Sequence, residues 1–305
     1  MPLIIDMDQI RQLGIRRSRA KKMSAIKVPV KVERDLRIGL QKLWQRSIFP
    51  SVERIKDAID QGLTPEELAM ILESELRKSE FDYDNVGMDI IDMWRLSVDK
   101  STRMAMHKAM ARSLGVDIAA VYDDPVVADA MAIGSMEAAN LIKTIPQQFI
   151  GDVASAVMDN MRGVPLPEGR NLMKQIEHIG GVSKKRAKLI ARDQTSKLTS
   201  TLNQARQMSI GIEMYIWRTS KDQRVVGNPS GKYPVGNKVH GDHYVMEGLY
   251  CRWDDPTVYS TDKGKTWLKR GSTMPKTHPG MEIQCRCYAE SVIDIDKILQ
   301  YAQAA

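Results

Sequence analysis

The chain has 305 residues, 43% of them hydrophobic and 27% charged, which is the balance of a folded globular protein and excludes a disordered chain. No uninterrupted apolar run approaches the roughly 18 residues of a membrane span, and Asp6 and Asp8 interrupt the only apolar stretch at the N-terminus, so neither a membrane anchor nor a signal peptide is expected. Three cysteines cannot form a disulfide scaffold and point to a reducing compartment.

The net charge of +7 is unevenly spread. Residues 1–32 carry eight Lys/Arg and two Asp, residues 33–169 carry fifteen basic and twenty-three acidic groups, and residues 170–305 carry twenty-two and thirteen. A basic arm, an acidic middle and a basic final third make poor candidates for one uniform surface. Basic segments attract polyanions by counterion release.

In chain order, residues 1–30 show no clean period and hold the cluster Arg16, Arg17, Arg19, Lys21 and Lys22, which reads as a flexible basic arm. Residues 31–164 read as a helical domain. Leu36, Leu40, Leu43, Trp44 and Ile48 follow helical spacing, and Pro50 is expected to break or kink that run. Thr64-Pro65-Glu66-Glu67 is a capping box with proline at the first helical position. The helix LAMILESELRKS follows, then a separate amphipathic run from MDIIDMWR to Leu114, then a long stretch from Asp123-Asp124-Pro125 to about Met161, with Pro146 as a candidate interruption. Gly163, Pro165, Pro167 and Gly169 form a connector. The last long helix is SKKRAKLIARDQTSKLTSTLNQARQMS, with Ser183 as its expected N-cap and Gly211 as its stop.

Two readings fit the stretch IGGVSKKRAKLI before it: a helix-hairpin-helix-like turn offering amides to phosphate, or an ordinary helix start with a Lys-rich first turn. On either reading Lys184, Lys185 and Arg186, with the arm residues, are the candidate contacts to nucleic acid or an acidic partner.

Beyond Gly211 the texture changes to alternation and turns, in IEMYIWRTS, NPSGKYPVGN, LYCRW and MEIQCRCYAE, and IDIDKILQYAQ closes the chain as a short helix over 292–305. The fold class is therefore α+β, a mainly helical N-terminal region followed by a small domain of short antiparallel strands.

That small domain gathers His240, His243, Cys251, His278, Cys285 and Cys287 into 48 residues. Zn²⁺ takes thiolate and imidazole donors in a tetrahedron, and small β-rich domains often need such a clip. Cys285 and Cys287 would share a face on a regular strand, with Arg286 pointing away. By chemistry alone the pair fits either zinc ligands or buried free thiols. An enzymatic reading uses His243 and His278 beside Lys221 and Arg224 for general acid–base cleavage of RNA. Walker, Rossmann and Gly-x-Ser-x-Gly motifs are absent.

Four blocks occur in order over the last 110 residues: LIARDQTSKL, GIEMYIWRTSKDQRV, HYVMEGLYCRWDDP and HPGMEIQCRCYAE. The series resembles the phage head morphogenesis family of Mu protein F-like minor head proteins. Members show an Ala-Arg-(Thr/Asp)-(Glu/Gln) helix end, a Tyr-x-Trp-x-Thr strand, Asp-x-Arg-Val-Arg, His-x-x-Leu-x-Gly and a terminal His-Pro-x-Cys-Arg-Cys. The resemblance covers about 165–291.

Asp222, Arg224 and Val225 match the third block, with Val226 where arginine is usual. An insertion then precedes His243, which fits the family histidine through Met246 and Gly248. His240 is its competitor. His278, Pro279, Cys285, Arg286 and Cys287 match the terminal block, and Cys251 has no family counterpart.

The resemblance implies a metal set of His243, His278, Cys285 and Cys287, with His240 and Cys251 as alternates and Zn²⁺ as the ion. It implies no enzymatic activity. It implies a minor capsid protein of the virion, in the capsid interior or at the portal vertex, passing through the host cytoplasm during assembly. Its partners would be portal, scaffold or coat protein and packaged DNA. The alternative is a nucleic-acid-binding or RNase-like, toxin-related protein sharing the same C-terminal domain.

Overall fold

The computed structural model describes residues 21–114, 125–167, 170–233, 241–294 and 297–298. Four long helices precede a set of short antiparallel strands, the expected α+β layout. The chain divides into two compact units that are not consecutive in sequence. One takes residues 1–29, 97–134 and 195–305, and the other takes 30–96 and 135–194.

In the unit of residues 30–96 and 135–194, α1 (Val30–Asp60) buries Leu36, Leu40, Leu43, Trp44, Ile48, Val52 and Ile55, one stripe at three- and four-residue spacing. The helix runs through Pro50. α2 (Pro65–Leu114) opens on the expected capping box: the Thr64 amide donates to Glu67 Oε2 at 2.9 Å, and the Glu67 amide donates to Thr64 Oγ1 at 3.3 Å.

α2 is one helix of 50 residues, where the sequence suggested two. The segment FDYDNVG lies between the two expected runs, yet Tyr83 within it is fully buried. A Cβ on Gly87 would lie 3.0 Å from Ile142 and 3.6 Å from Leu43. That glycine is there for close helix approach, not for a turn.

The same reason corrects the start of the last helix. α4 (Leu172–Met208) begins eleven residues before Ser183, at a cap where Asn171 Oδ1 accepts from the Lys174 amide at 2.9 Å. Ser183 is buried in mid-helix. Gly180 and Gly181, which suggested a hairpin, continue the helix, and Gly180 lets it approach Trp44 and Val52 of α1. α3 (Pro125–Met161) likewise continues through Pro146.

The other unit is built on a four-stranded antiparallel sheet in the order β1-β6-β2-β3. Its strands are β1 (Lys21–Lys22), β2 (Met214–Arg218), β3 (Tyr250–Arg252) and β6 (Tyr288–Ile293). β4 (Val258–Tyr259) and β5 (Leu268–Lys269) form a separate hairpin. β2 and β6 pair over their length, from Met214↔Val292 to Arg218↔Tyr288.

The described end of the basic arm is part of this sheet. Lys21 and Lys22 pair with Ile293 and Val292, Met23 and Ile26 are buried, and Asn203 Nδ2 of α4 donates to the Ile26 carbonyl at 3.3 Å. Residues 21–26 of the arm are therefore structured, because they carry two apolar side chains with a place to go. The C-terminal helix expected over 292–305 starts later than that, since Val292 and Ile293 belong to β6, and beyond Asp294 only Lys297 and Ile298, both helical, lie among the described residues.

Candidate metal centre

The core of the sheet unit is Tyr215, Trp217, Met246, Cys251, Trp253, Cys285, Cys287 and Ala289. Alternation along β2 buries Tyr215 and Trp217 on one face. Gly248 and Leu249 zip against Trp217, with the Gly248 amide donating to its carbonyl and its own amide donating to Leu249 O, both at 2.9 Å. This fixes the 3-10 turn Tyr244–Met246, and with it His243 at the turn's N-terminal end, edge-on to the Trp217 ring at 5.6 Å. Glu247 locks the far end of the turn by accepting from the Thr219 amide and hydroxyl and from Arg218.

Cys285 and Cys287 reach His243 from a turn rather than from a regular strand. Gln284 has φ +59, in the left-handed region, and β6 begins only at Tyr288. The sequence expectation of strand alternation is thus replaced by a knuckle that turns before the strand. Its Arg286 does point away from the sulfurs, and Nη1 donates to Asp222 Oδ2 at 2.6 Å. Asp222 also accepts from the Arg224 amide at 2.8 Å. The Asp-x-Arg-Val step therefore braces the knuckle from outside, a link that spacing in the sequence does not reveal.

His243, Cys285 and Cys287 come together, with donor atoms all within 4.8 Å of one another and each side chain buried. His243 Nδ1 lies 3.3 Å from Cys285 Sγ and 3.5 Å from Cys287 Sγ. The amides of Gly280 and Cys287 both donate to Cys285 Sγ, at 3.4 Å each. Such donors favour a thiolate. The Cys287 thiol hydrogen-bonds to Cys285 and, with His243, holds it well below the usual thiol range. Cys287, facing that thiolate, is pushed up. An imidazole and two sulfurs at this separation could hold a metal ion, and the amides already aimed at one sulfur suit that use.

His278 does not join the group. It is buried against Trp253, with ring centroids 5.1 Å apart. Its Nδ1 lies 3.0 Å from the Tyr215 hydroxyl and its Nε2 lies 3.4 Å from Gln204 Nε2. Burial pushes its pKa down to about 4, so the ring is neutral at pH 7. Of the four residues expected as ligands, three meet and His278 serves a neighbouring polar cluster.

Cys251, an alternate ligand, is fully buried on β3 opposite Tyr215 and stands outside the group. Burial raises its pKa. His240, the other alternate, lies outside the described residues, as do Arg16, Arg17 and Arg19.

Arg270 gave no signal in the sequence. Its guanidinium is buried and donates to the carbonyls of Val258, Pro275 and Thr277 at 3.2, 2.8 and 2.9 Å. It shapes the loop that leads into His278. Gly241, at φ +68, lets the chain before His243 cross that loop, because a Cβ there would sit 2.7 Å from the Pro275 nitrogen.

Lys22 is exposed on the edge strand, and of Lys21 only the strand position is described. In the other unit, Lys184 Nζ lies 5.7 Å from the Trp44 ring centre and Arg186 Nη2 donates to Thr144 Oγ1 at 2.8 Å. Lys185 is exposed. Lys184 and Lys185 are thus exposed, while Arg186 is half-buried and held within the unit.

No helix among the described residues is long and apolar enough to cross a membrane. No family model matches the chain, and no solved structure matches it. An uncharacterized protein of Haemophilus influenzae strain Rd is 31% identical over 184 residues, which take in 59% of this chain and 33% of the relative. The matched region thus spans about a third of that relative's length.

Proposed function

We propose that the chain is a phage minor head protein acting in head morphogenesis at or near the portal, with a C-terminal domain closed by Zn²⁺. The observation that carries this reading is that blocks far apart in sequence converge. His243, Cys285 and Cys287 meet within 4.8 Å, and Asp222 binds the arginine between the cysteines. Those are the positions at which the chain resembles the Mu F-like family. The zinc reading rests on the donor chemistry, since an imidazole and two thiolates suit a borderline-soft ion better than Mg²⁺ or Ca²⁺.

The role is architectural. The three donors are buried, and they join the turn before β3 to the knuckle before β6. Portal, scaffold or coat protein are the partners, with packaged DNA nearby. The test is to mix the purified chain with a phage portal protein from the same genome and run size-exclusion chromatography. A stable co-eluting complex is expected. Binding to nucleic acid with no capsid component retained would overturn the assembly reading.

A further inference from the structure

Lys174, His178, Gly181, Lys185 and Lys188 follow one another along α4 at spacings of four, three, four and three, and all five are exposed. Residues at that spacing lie above one another on a helix. The row is about 21 Å long at 1.5 Å per residue. Its three lysines make no ion pair among the described residues. The segment from Lys174 to Lys188 holds five Lys/Arg and one acid, Glu177, which is engaged by Lys56 at 2.9 Å.

Gly181 stands in the middle of this row with nothing within 4 Å of where its Cβ would be. A glycine inside a helix costs roughly 1 kcal/mol relative to alanine. Gly180 beside it has a packing reason, the approach to Trp44 and Val52, and Gly181 has none. What it provides is a notch where something outside can come close to the helix backbone between two pairs of cationic or ionisable side chains.

We infer that this row is a docking surface for the sugar-phosphate backbone of duplex DNA. Charge selects a polyanion: the exposed apolar side chains beside the row, Val182 and Leu189, stand two turns apart and form no continuous apolar centre of the kind a protein partner would want. Duplex DNA presents phosphates along an edge of this length, and contacts of this kind fix position without reading sequence. Asp152 and Asp159 line a groove shared with His178 and bound the positive surface on that side. The surface shares Lys185 with the linear Lys184-Lys185-Arg186 cluster, of which Arg186 is half-buried and bonded to Thr144.

The inference rests on the reading that the chain works beside packaged DNA, and the two fail separately: portal binding tests the one and DNA binding the other. The experiment is fluorescence anisotropy of a labelled 20-base-pair duplex with the full chain, from 50 to 200 mM salt. The variants are the triple Lys174→Gln/Lys185→Gln/Lys188→Gln and a charge-matched control, Lys263→Gln/Lys265→Gln/Lys269→Gln, on the β4–β5 hairpin.

Wild-type binding should weaken steeply with salt. The α4 triple variant should flatten the log–log slope by about 2 to 3 and bind at least about tenfold more weakly at 50 mM. The hairpin control should keep the wild-type slope, and all three proteins should keep the same circular dichroism and melting curve. Gly181→Leu, which fills the notch without changing charge, should also weaken binding. Equal losses in the α4 and hairpin variants, or no salt-dependent binding by wild type, would overturn the inference. So would displacement of the duplex by polyglutamate of matched charge as readily as by unlabelled duplex.

Discussion

His278 and His243 are both buried in the same unit, and their surroundings assign them different work. His243 faces two sulfurs, whereas His278 lies between a tyrosine hydroxyl, an amide and an indole. Burial lowers the His278 pKa from 6.5 to about 4, so the folded chain holds off a proton that the unfolded chain takes up near pH 6.5. A depressed histidine contributes stability that is fully present above pH 6.5 and is lost as pH falls from there toward 4, a loss of about 3 kcal/mol over that window. Urea midpoints measured from pH 7 to pH 4 should therefore fall steeply in wild type. The fall should be much shallower in His278→Gln, whatever that variant loses at pH 7. Parallel curves for the two proteins would mean that His278 is not held neutral by the fold. The sequence could pick out both histidines, since they cluster with the cysteines, but it could not tell ligand from neighbour. That distinction depends on the side chains from α4 and β2 that surround His278, namely Gln204 and Tyr215, and neither is close to it in sequence.

Among the elements, α4 departs most from what its sequence suggests. Gly180-Gly181 followed by Ser-Lys-Lys has the composition of a turn and a cap, and local signals alone favour a break there. Tertiary packing overrides them, because Gly180 faces α1 and Asn171 caps the helix twelve residues before Ser183. Substitution separates the two structures cleanly. Gly181→Ala should raise stability by roughly 0.5 to 1 kcal/mol, since the new methyl meets nothing and helix propensity improves. Gly180→Ala should gain less or lose stability, because its Cβ would sit 3.3 Å from Val52 Cγ2. A turn with left-handed glycines would instead be destabilised by alanine at both positions, and thermal melting distinguishes the cases. FDYDNVG in α2 hides in the same way, for Gly87 is an approach to Leu43 and Ile142 that no local pattern announces. The capping box at Thr64–Glu67 was legible because its chemistry is complete within four residues.

For the whole molecule, the α+β class follows from the change of period at Gly211, and the structure has that layout. The interleaving of the two compact units could not be read from the sequence, because each unit takes parts of α2, α3 and α4. The basic arm had no period of its own, yet Met23 and Ile26 close the sheet unit beside β6. The knuckle matters most at this scale. It fastens the last strand of the sheet to the turn before β3, where the strands are short and such a clip adds most. The most direct test is elemental analysis of untagged protein purified without added metal, together with melting in a strong chelator. About one zinc per chain is expected, lost in Cys285→Ser and in His243→Ala but kept in His278→Gln, with a clear fall in melting temperature when the metal is stripped. A zinc content near zero, with a melting curve unmoved by chelator, would contradict the zinc reading.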